Sequence, residues 1–559
     1  MKKYDFDLRV QEILNKKFSD LRDVDWKSWL RINSLEEYEE LALELSGLGN
    51  QRDLIDRLKE EKTESRELSV DLESYVQKFK GSYPLILTHT SGTTNSQISA
   101  LKWFHMSDYL IRNLWGPGMQ AIFESSGLNN ENSAVVFVPS RLDIDGLNEI
   151  DNKKYISLYS AEFSQRIMLS AIKPKSYLFY QYKVSSNIET IADLLSLKEI
   201  AIVSAPSATI LKWANLEKLK QYLKTSLKSS SFDSENYLLK KLLNILKRES
   251  LTEGTLKIRK LLSNALCNSK LVFSISSLSE SQWNLIRDFM KWKKGEEKFT
   301  NLYVCSEIGP FASSLPDGDY TISKQNKMYI LPLTIPCIQY RGSIEIIPYV
   351  KNKIGKLLVS RLNHSGSSPI LNIDTGDIIS IEGFKRLPLI GGNILRDNFQ
   401  IKYPLKISKS ITKPDDYAIY AGDFFTLKKF DIIQPRILLN CIKNQCNLKI
   451  DYLLLVNQND SKKEMWKLVF TKKSDSSCIN TSEINKKLKK CSEKYENYAK
   501  LITNVEEIKL IDDIPVKFVK DRQKILEKVR SGKIPKGILK KWPLYLIMPS
   551  NNDAIEKNN

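Results

Sequence analysis

A run of small hydroxyl residues around Gly92 is the first stretch of this chain whose residue types could do chemistry. It reads Thr90-Ser-Gly-Thr-Thr94 and follows the apolar run Leu85-Ile-Leu87, which predicts a strand. Hydroxyls and backbone N–H groups on a flexible turn suit a polyphosphate, because each phosphate oxygen accepts several hydrogen bonds. Taken alone, the same run is also typical of a Ser/Thr-rich surface loop.

A second segment places a hydroxyl and a carboxylate directly after a predicted strand. Ser306 and Glu307 follow Leu302-Tyr-Val304 and precede a Gly-Pro turn. Side chains at the carboxyl ends of strands in an open α/β sheet face the ligand crevice. A glutamate there could hold Mg²⁺, which prefers one or two carboxylates together with phosphate oxygens. A solvated glutamate is the ordinary alternative.

Two further segments add an aspartate and a lysine. Asp377 ends the sequence Asn372-Ile-Asp-Thr-Gly-Asp, and an aspartate after a glycine turn can accept two hydrogen bonds from a ribose diol. Lys520 lies near the end of the chain, where a lysine on a mobile small domain could reach a developing negative charge. An ordinary hairpin turn and a plain surface lysine are the alternatives.

Alternating strands and helices are expected to position these segments. From Tyr83 onward, short apolar runs that predict strands alternate with helical patterns, which argues for a layered α/β sheet. The chain before about residue 80 predicts helices, including Leu35–Leu45 with a cap at Asn33-Ser34. The predicted strands of the sheet are Ala134–Val138, Glu199–Val203, Lys270–Ile275 and Leu302–Val304.

The fold class is therefore predicted as α/β, with several domains. A large N-terminal domain of layered α/β sheets carries a β-rich subdomain and is followed by a small α+β C-terminal lid domain. The predicted parts are a helical cap over 1–80, the α/β domain over 81–425 with a helical insert over 216–266 and the β-rich part over 328–385, the small domain over 426–545, and a disordered tail over 546–559.

Composition narrows the classes of partner and compartment. The formal charge of +19 comes from lysines spread along the chain, without a long basic block or a zinc-finger or RNA-recognition signature. We therefore interpret the charge as solvated surface and expect no nucleic-acid partner. Seven scattered cysteines, no long apolar run and no secretory signal at the start predict a protein of the reducing cytoplasm without a membrane span. With three histidines and no nucleophile-elbow context, hydrolase chemistry is not expected.

In order and spacing, the four segments resemble motifs of the adenylate-forming (AMP-binding) enzymes, the superfamily of acyl-CoA synthetases, peptide-synthetase adenylation domains and luciferases. Thr90–Thr94 resembles the phosphate loop, Tyr303–Glu307 the Tyr-Gly-x-Thr-Glu motif and Asp374–Asp377 the Tyr-x-Thr-Gly-Asp motif. The stretch Gly355–Asp377 is most similar to the phenylacetate-CoA ligase branch. The resemblance spans roughly residues 80 to 530.

The resemblance implies a reaction and a role for each residue. A carboxylic acid would be activated with ATP and Mg²⁺ to an acyl-adenylate, and the acyl group would pass to a thiol, with CoA the expected acceptor. A carrier protein or an amine as acceptor, or a catalytically degenerate nucleotide-binding relative, are the alternatives. The implied residues are Thr90, Ser91, Gly92, Thr93 and Thr94 for the ATP phosphates, Tyr303 in the nucleotide site, Ser306 for a phosphate or the substrate carboxylate, Glu307 for Mg²⁺, Asp377 for the ribose, Lys520 for charge in the transition state and Asp423 as the hinge.

Several positions depart from the family pattern and predict a divergent member. The usual Gly-x-Pro-Lys after the loop is Asn95-Ser-Gln-Ile98, so that lysine charge is missing. Val304 replaces a glycine, Ser276-Ser277 replaces a glycine pair, and Val519 precedes Lys520 where glycine is usual. The acid pocket is expected to be lined by residues 135–139, 204–207 and 274–277.

Overall fold

A computed structural model describes most of the chain up to residue 396 and separate strands beyond it. The described residues are 5–21, 25–47, 52–64, 68–89, 101–139, 142–229, 236–274, 280–314, 327–340, 343–347, 354–362, 369–396, 399–401, 417–421, 425–427, 430–433, 453–460, 463–470, 486, 507–510 and 544–549. Two compact units divide the chain, one of Met1–Ser91 with Lys102–Ile394 and one of Gly92–Leu101 with Leu395–Asn559. The predicted domain boundaries stay predictions.

Helices dominate the first compact unit. Among those described, none combines the length and the apolar character that crossing a bilayer requires. The helices are α1 (Asp5–Lys17), α2 (Leu35–Leu45), α3 (Arg52–Arg57), α4 (Leu72–Lys78), α5 (Asp108–Leu110), α6 (Gly116–Ser125), α7 (Ser160–Ile172), α8 (Ile188–Ser196), α9 (Ser207–Ala214), α10 (Leu216–Ser229), α11 (Tyr237–Arg248), α12 (Leu251–Leu266) and α13 (Glu280–Met290).

Strands occur in both units. The strands of the first unit are β1 (Leu85–His89), β2 (Trp103–His105), β3 (Ser133–Val138), β4 (Gly146–Ile150), β5 (Lys153–Tyr159), β6 (Ser176–Gln181), β7 (Ile200–Ser204), β8 (Lys270–Ser274), β9 (Phe299–Cys305), β10 (Gly309–Ser313), β11 (Met328–Ile330), β12 (Ile335–Tyr340), β13 (Ser343–Ile346), β14 (Ile354–Arg361), β15 (Ile370–Lys385) and β16 (Leu387–Arg396). Those beyond are β17 (Phe399–Ile401), β18 (Tyr417–Ala421), β19 (Phe425–Leu427), β20 (Phe430–Ile433), β21 (Leu453–Asp460), β22 (Lys463–Phe470), β23 (Glu507–Leu510) and β24 (Leu544–Pro549).

A twelve-stranded sheet forms the centre of the first unit, in the order β13-β12-β14-β15-β16-β11-β10-β9-β8-β7-β3-β6. The five strands from β9 to β6 run parallel to one another. Helices cover both faces of this parallel part, so β3 is buried along its whole length. Val135 and Phe137 face the cluster that contains α8 to α13, while Ala134 and Val136 face the cluster that contains α6 and α7. The predicted α/β class and the strands at β3, β7, β8 and β9 are confirmed.

A second, four-stranded sheet of order β2-β1-β5-β4 lies on the other side of α6 and α7. Its two central strands are parallel, and His89 at the end of β1 pairs with Tyr159 at the end of β5. Ile86 and Ile156 share one apolar cluster with Phe163 and Ile167 of α7. The helices α6 and α7 are therefore sandwiched between two sheets, and the sequence predicted only one strand of the smaller one.

The β-rich part predicted over 328–385 is continuous with the large sheet. Its strands β11 to β15 continue the sheet antiparallel beyond β9 and β10. One face packs against α2 and α3, where Leu43 and Leu54 meet Leu358 and Leu371. Because backbone hydrogen bonds join these strands to the parallel half, the two parts share one sheet.

The N-terminal helices are integral to the first unit. Ser34 caps α2 by accepting a hydrogen bond from the Glu37 backbone N–H, and Glu37 reaches back to the N–H of Asn33 at 2.8 Å. These hydrogen bonds cap the first turn of α2 and confirm its predicted start at Leu35. The side chains of Leu14 and Trp29 are buried in the same cluster as β3 and α7.

The second unit contains a six-stranded sheet of order β17-β18-β24-β21-β22-β23 and a separate β19-β20 hairpin. The predicted strands near 452–456, 466–471 and 505–510 are confirmed as β21, β22 and β23. Part of the predicted disordered tail is a strand, since Leu544–Pro549 pairs with both β18 and β21. The apolar run Leu544-Tyr-Leu-Ile-Met explains this, because it fits an interior strand. Residues 550–559 and the predicted helix around 482–495, apart from Lys486, lie outside the described residues.

A buried ion pair between α7 residues gives the first testable prediction. Arg166 and Glu162 are 1% and 0% exposed, and the Arg166 Nε lies 2.9 Å from the Glu162 Oε1. We expect Arg166→Met to lower the free energy of unfolding by about 3–5 kcal/mol, because it leaves the Glu162 charge buried without its partner. Denaturant titration measures this. Arg57→Met, which breaks the exposed pair with Glu61, is the control and should change stability little.

His105 on β2 gives a pH prediction. Burial, with a smaller contribution from Lys17, lowers its pKa to about 4 against an ordinary value of 6.5. Between these values only the unfolded chain binds the proton, so stability should fall as the pH drops from 6.5 towards 4. The Tyr75 hydroxyl lies 2.9 Å from the His105 Nδ1. The variant His105→Asn keeps a hydrogen-bond partner for this hydroxyl and should flatten the dependence of stability on pH. An unchanged pH profile in the variant would contradict the assignment.

Candidate functional site

The carboxyl ends of β3, β7, β8 and β9 lie along one edge of the large sheet, because these neighbouring strands are parallel. The chain leaves β3 towards β6 on one side and leaves β7 towards β8 on the other. Strand order thus reverses between β3 and β7. Ligands of open α/β sheets bind outside the carboxyl ends of the strands at such a switch point.

Tyr303 near the end of β9 joins two of the predicted motifs. Its hydroxyl donates a short hydrogen bond to the Asp377 carboxylate, although 74 residues separate the two in sequence. Its ring packs against Phe311 with centroids 4.5 Å apart. Burial and the Asp377 charge hold the pKa of Tyr303 well above its usual value, so the phenol stays protonated and remains a donor.

The Thr375-Gly-Asp377 segment is a bulge within β15, so the alternative interpretation of this segment as an ordinary hairpin turn is wrong. Asp374 pairs with Leu358 and Ile378 with Lys356, so the residues between them exceed those on the partner strand. The Thr375 hydroxyl donates to the Leu357 carbonyl at 2.9 Å and accepts from the Asp377 N–H at 3.3 Å. These bonds fix the bulge to β14 and hold Asp377 in position.

Ser306 and Glu307 lie in the tight turn between β9 and β10. The Ile308 N–H donates to the Cys305 carbonyl at 3.2 Å, and Gly309 pairs with Cys305. The turn therefore precedes the Gly-Pro dipeptide, which begins β10. Gly309 has a φ of +120°, which a residue with a side chain rarely adopts.

Ser306 connects the edges of the two sheets. Its Oγ lies 2.8 Å from the Oγ of Ser160, the first residue of α7 and the residue after β5. Because β5 runs parallel to β1, Ser160 follows the strand end that pairs with His89. Sequence reasoning missed Ser160, since nothing in a lone serine before a helix pointed to a partner 146 residues away.

His89 is paired with an aspartate. Its Nε2 lies 2.6 Å from the Asp145 Oδ1, and the other oxygen of Asp145 accepts the Leu142 N–H at 2.7 Å. The rings of Trp103 and Tyr159 flank the imidazole at centroid distances of 5.0 and 5.8 Å. These contacts fix the last residue before the predicted phosphate loop.

Glu307 lies beside the Cys305 thiol. The Cys305 Sγ donates to the Glu307 Oε2 at 3.1 Å, and burial together with Glu307 raises the pKa of the thiol well above its usual value. Burial lowers the pKa of Arg361 to about 10, and the charge of Glu307 opposes this shift. Sequence reasoning missed Arg361. The signal was a charged residue ending the apolar strand Leu357-Leu-Val-Ser-Arg361.

The donor set around Glu307 restricts what kind of metal site is possible. No group of three or more His, Cys, Asp or Glu side chains within the described part of the chain could hold a metal ion. Mg²⁺ is commonly bound through one or two carboxylates plus the phosphates of a substrate. A single carboxylate at Glu307 fits a Mg²⁺ ion that arrives with a nucleotide.

Seven of the predicted site residues lie outside the described residues. They are Thr90, Ser91, Gly92, Thr93 and Thr94 of the predicted phosphate loop, Lys520 and the hinge candidate Asp423. Of the rest, Tyr303 and Asp377 are joined by a hydrogen bond, and Ser306 and Glu307 follow β9, the strand that carries Tyr303.

No protein-family model and no curated protein matches this chain. Solved structures that are similar to this chain at low sequence identity include one ligase and two synthetases. The structure of 2-hydroxyisobutyryl-CoA ligase in complex with 2-HIB-AMP and CoA is 10% identical over 90% of this chain and 88% of that chain, with a TM-score of 0.44. The acyl acid amido synthetase AtGH3.15 in complex with 2,4-DB is 13% identical over 94% of this chain and 93% of that chain, with a TM-score of 0.45. The amide bond synthetase McbA from Marinactinospora thermotolerans is 11% identical over 73% of this chain and 66% of that chain, with a TM-score of 0.36. At TM-scores below 0.5 these likenesses carry no argument about this chain.

The Tyr303–Asp377 hydrogen bond is testable by a double-mutant cycle. We expect Tyr303→Phe to lower the free energy of unfolding by about 1–3 kcal/mol, because the Asp377 carboxylate loses a buried donor while the ring packing stays. In combination with Asp377→Asn the two costs should not add. The Tyr38 hydroxyl donates to the carbonyls of Leu331 and Thr334, away from Asp377. The loss of unfolding free energy in Tyr38→Phe should therefore add to that in Asp377→Asn. Additive costs for the Tyr303 pair would contradict a direct interaction.

Proposed function

We propose that this chain activates a carboxylic acid with ATP to an acyl-adenylate and then passes the acyl group to a thiol, with CoA as the expected acceptor. The observation that carries the proposal is that the Tyr303 hydroxyl of β9 is hydrogen-bonded to Asp377, while Ser306 and Glu307 follow directly at the carboxyl end of the same strand. The same four residues belong to the motifs that resemble adenylate-forming enzymes.

In the first step a carboxylate oxygen attacks the α-phosphorus of ATP. The bond from this phosphorus to the oxygen that bridges to the β-phosphate breaks, and pyrophosphate leaves. Negative charge grows on the phosphate oxygens, so donors and cations fixed in advance at the site lower the barrier. A Mg²⁺ ion bound with the nucleotide would neutralise part of that charge.

Each described residue has a part in this step. Asp377 accepts the ribose hydroxyls, and Tyr303 holds its carboxylate in place through the phenol hydrogen bond. Ser306 donates to a phosphate oxygen or to the substrate carboxylate, and Ser160 orients the Ser306 hydroxyl from α7. Glu307 would hold Mg²⁺. The resemblance adds Thr90–Thr94 for the phosphates and Lys520 for the charge of the transition state.

In the second step the sulfur of the thiol attacks the acyl carbonyl carbon, the bond from that carbon to the phosphate oxygen of AMP breaks, and AMP leaves while the thiol proton passes to solvent. We assign this step to the proposed small domain over 426–545. Rotation about a hinge at Asp423 would exchange one face of a lid for another, as conformational steps of this kind do in many enzymes. We propose that the protein acts in the cytoplasm. Within the adenylate-forming enzymes, its motifs are most similar to those of the phenylacetate-CoA ligase branch. A carrier protein or an amine could take the place of CoA.

A degenerate nucleotide-binding relative is the second candidate. The observations that favour it are the replacements at Asn95–Ile98, Ser276-Ser277 and Val519, together with Val304, which lies in β9 directly beside Tyr303. Such a protein would bind the nucleotide and release no pyrophosphate.

Pyrophosphate release in the presence of ATP, Mg²⁺ and a panel of carboxylic acids separates these candidates. We expect release with at least one acid, and at least about a hundredfold slower release in Glu307→Ala and Lys520→Ala. Glu44→Ala and Lys59→Ala, which alter exposed side chains, are the matched controls and should leave the rate unchanged. Unchanged release in Glu307→Ala would refute the site, and stabilisation by ATP without release would favour the degenerate relative.

A further inference from the structure

Arg361 is a buried cation at the end of β14. Only 4% of the residue is exposed, and its Nε has no hydrogen-bond partner among the described residues. Side chains of a strand alternate between faces, so Arg361 shares a face with Leu357 and Val359. The side chains of Leu357 and Val359 both belong to the apolar cluster against which Tyr303 and Cys305 pack. Arg361 therefore lies on the side of the sheet that carries the end of β9.

A buried arginine side chain such as that of Arg361 requires an anionic partner. Arginine is almost never fully buried unless it is paired, because removing the charge from water is costly. Arg166 shows the usual arrangement in this chain, since its Nε lies 2.9 Å from a Glu162 oxygen and its Nη1 lies 3.4 Å from the Gln11 Oε1. Arg361 has the charge and the burial of Arg166, but its Nε has no acceptor in the described part of the protein.

The other described cations near the site are engaged elsewhere. Lys62 and Lys356 lie 3.7 and 3.5 Å from the same oxygen of Asp374, on the far side of the bulge from Asp377. The negative group that acts on Arg361 is Glu307, in the turn after β9. An anion that enters beside Glu307 would therefore meet the Arg361 guanidinium.

We propose that Arg361 binds an oxyanion in this site, either a phosphate of the nucleotide or the carboxylate of the acid, next to Ser306 and Glu307. The inference rests on the proposed function and adds a residue to it. The planar guanidinium matches phosphate and carboxylate groups through two parallel hydrogen bonds, and the Nε is one of its donors. Its charge also offsets the repulsion between Glu307 and an entering anion.

Two buried arginines that differ in pairing make the test sharp. Arg361→Met, Arg361→Lys and Arg166→Met are compared with the wild-type chain by thermal unfolding and by calorimetric titration with pyrophosphate, AMP and phenylacetate. For Arg361→Met we expect a melting temperature equal to or above that of the wild type, since an unpaired buried charge is removed, and at least tenfold weaker binding of an anion. Arg361→Lys keeps the charge without the planar fork and should bind with intermediate affinity. Arg166→Met should melt at a lower temperature and bind anions like the wild type.

The pattern of loss identifies the anion. Weaker binding of pyrophosphate or AMP with unchanged phenylacetate binding supports a phosphate ligand, and the reverse pattern supports a carboxylate ligand. Unchanged binding of all three probes in Arg361→Met overturns the inference, as does a wild-type chain that binds none of them. A drop in melting temperature like that of Arg166→Met, with anion binding retained, assigns Arg361 to the fold and overturns it too.

The outcome is separable from that of the proposed function. If the chain releases pyrophosphate with an acid and Arg361→Met does so with the same kinetic constants, only the inference about Arg361 fails. If pyrophosphate binding depends on Arg361 and no acid in the panel is activated, only the proposed adenylation fails.

Discussion

The short hydrogen bond from the Tyr303 phenol to the Asp377 carboxylate is the contact on which the candidate site depends. It joins the end of the last parallel strand, β9, to a bulge in β15 of the antiparallel half. A buried phenol with a raised pKa stays a donor, and a buried carboxylate needs donors, so each group satisfies the other. Without this contact the two halves of the sheet would share backbone pairing but no common site.

The sheet explains why the site is at this edge. Five parallel strands bring their carboxyl ends together, and the small sheet brings the ends of β1 and β5 close to them through α7. The contact between Ser160 and Ser306 is where these two edges meet. Strand ends and helix starts are the places where backbone groups are left for a ligand, so the architecture concentrates polar groups where the apolar layers stop.

Ionisable groups are paired with each other in the scaffold, whereas several of those at the candidate site are not. Glu162 and Arg166 neutralise each other inside α7, which makes them part of the support between the two sheets. Around β9 the ionisable groups are kept neutral or are left without full pairing. Tyr303 and Cys305 have raised pKa values, and the Arg361 Nε has no described acceptor. Perturbed groups of this kind concentrate at functional sites, because a ligand supplies the missing interaction.

The sequence by itself determined the elements and the residue types of the site. Apolar runs defined β3, β7, β8 and β9, and the cap at Asn33-Ser34 defined the start of α2, because such signals are local. Only the tertiary structure decided that the β-rich part joins the large sheet, that Thr375–Asp377 is a bulge, that Ser160 contacts Ser306, and that Arg361 is buried at the end of β14. The physical reason is that pairing between strands and contacts between side chains distant in sequence depend on packing, which leaves no local pattern.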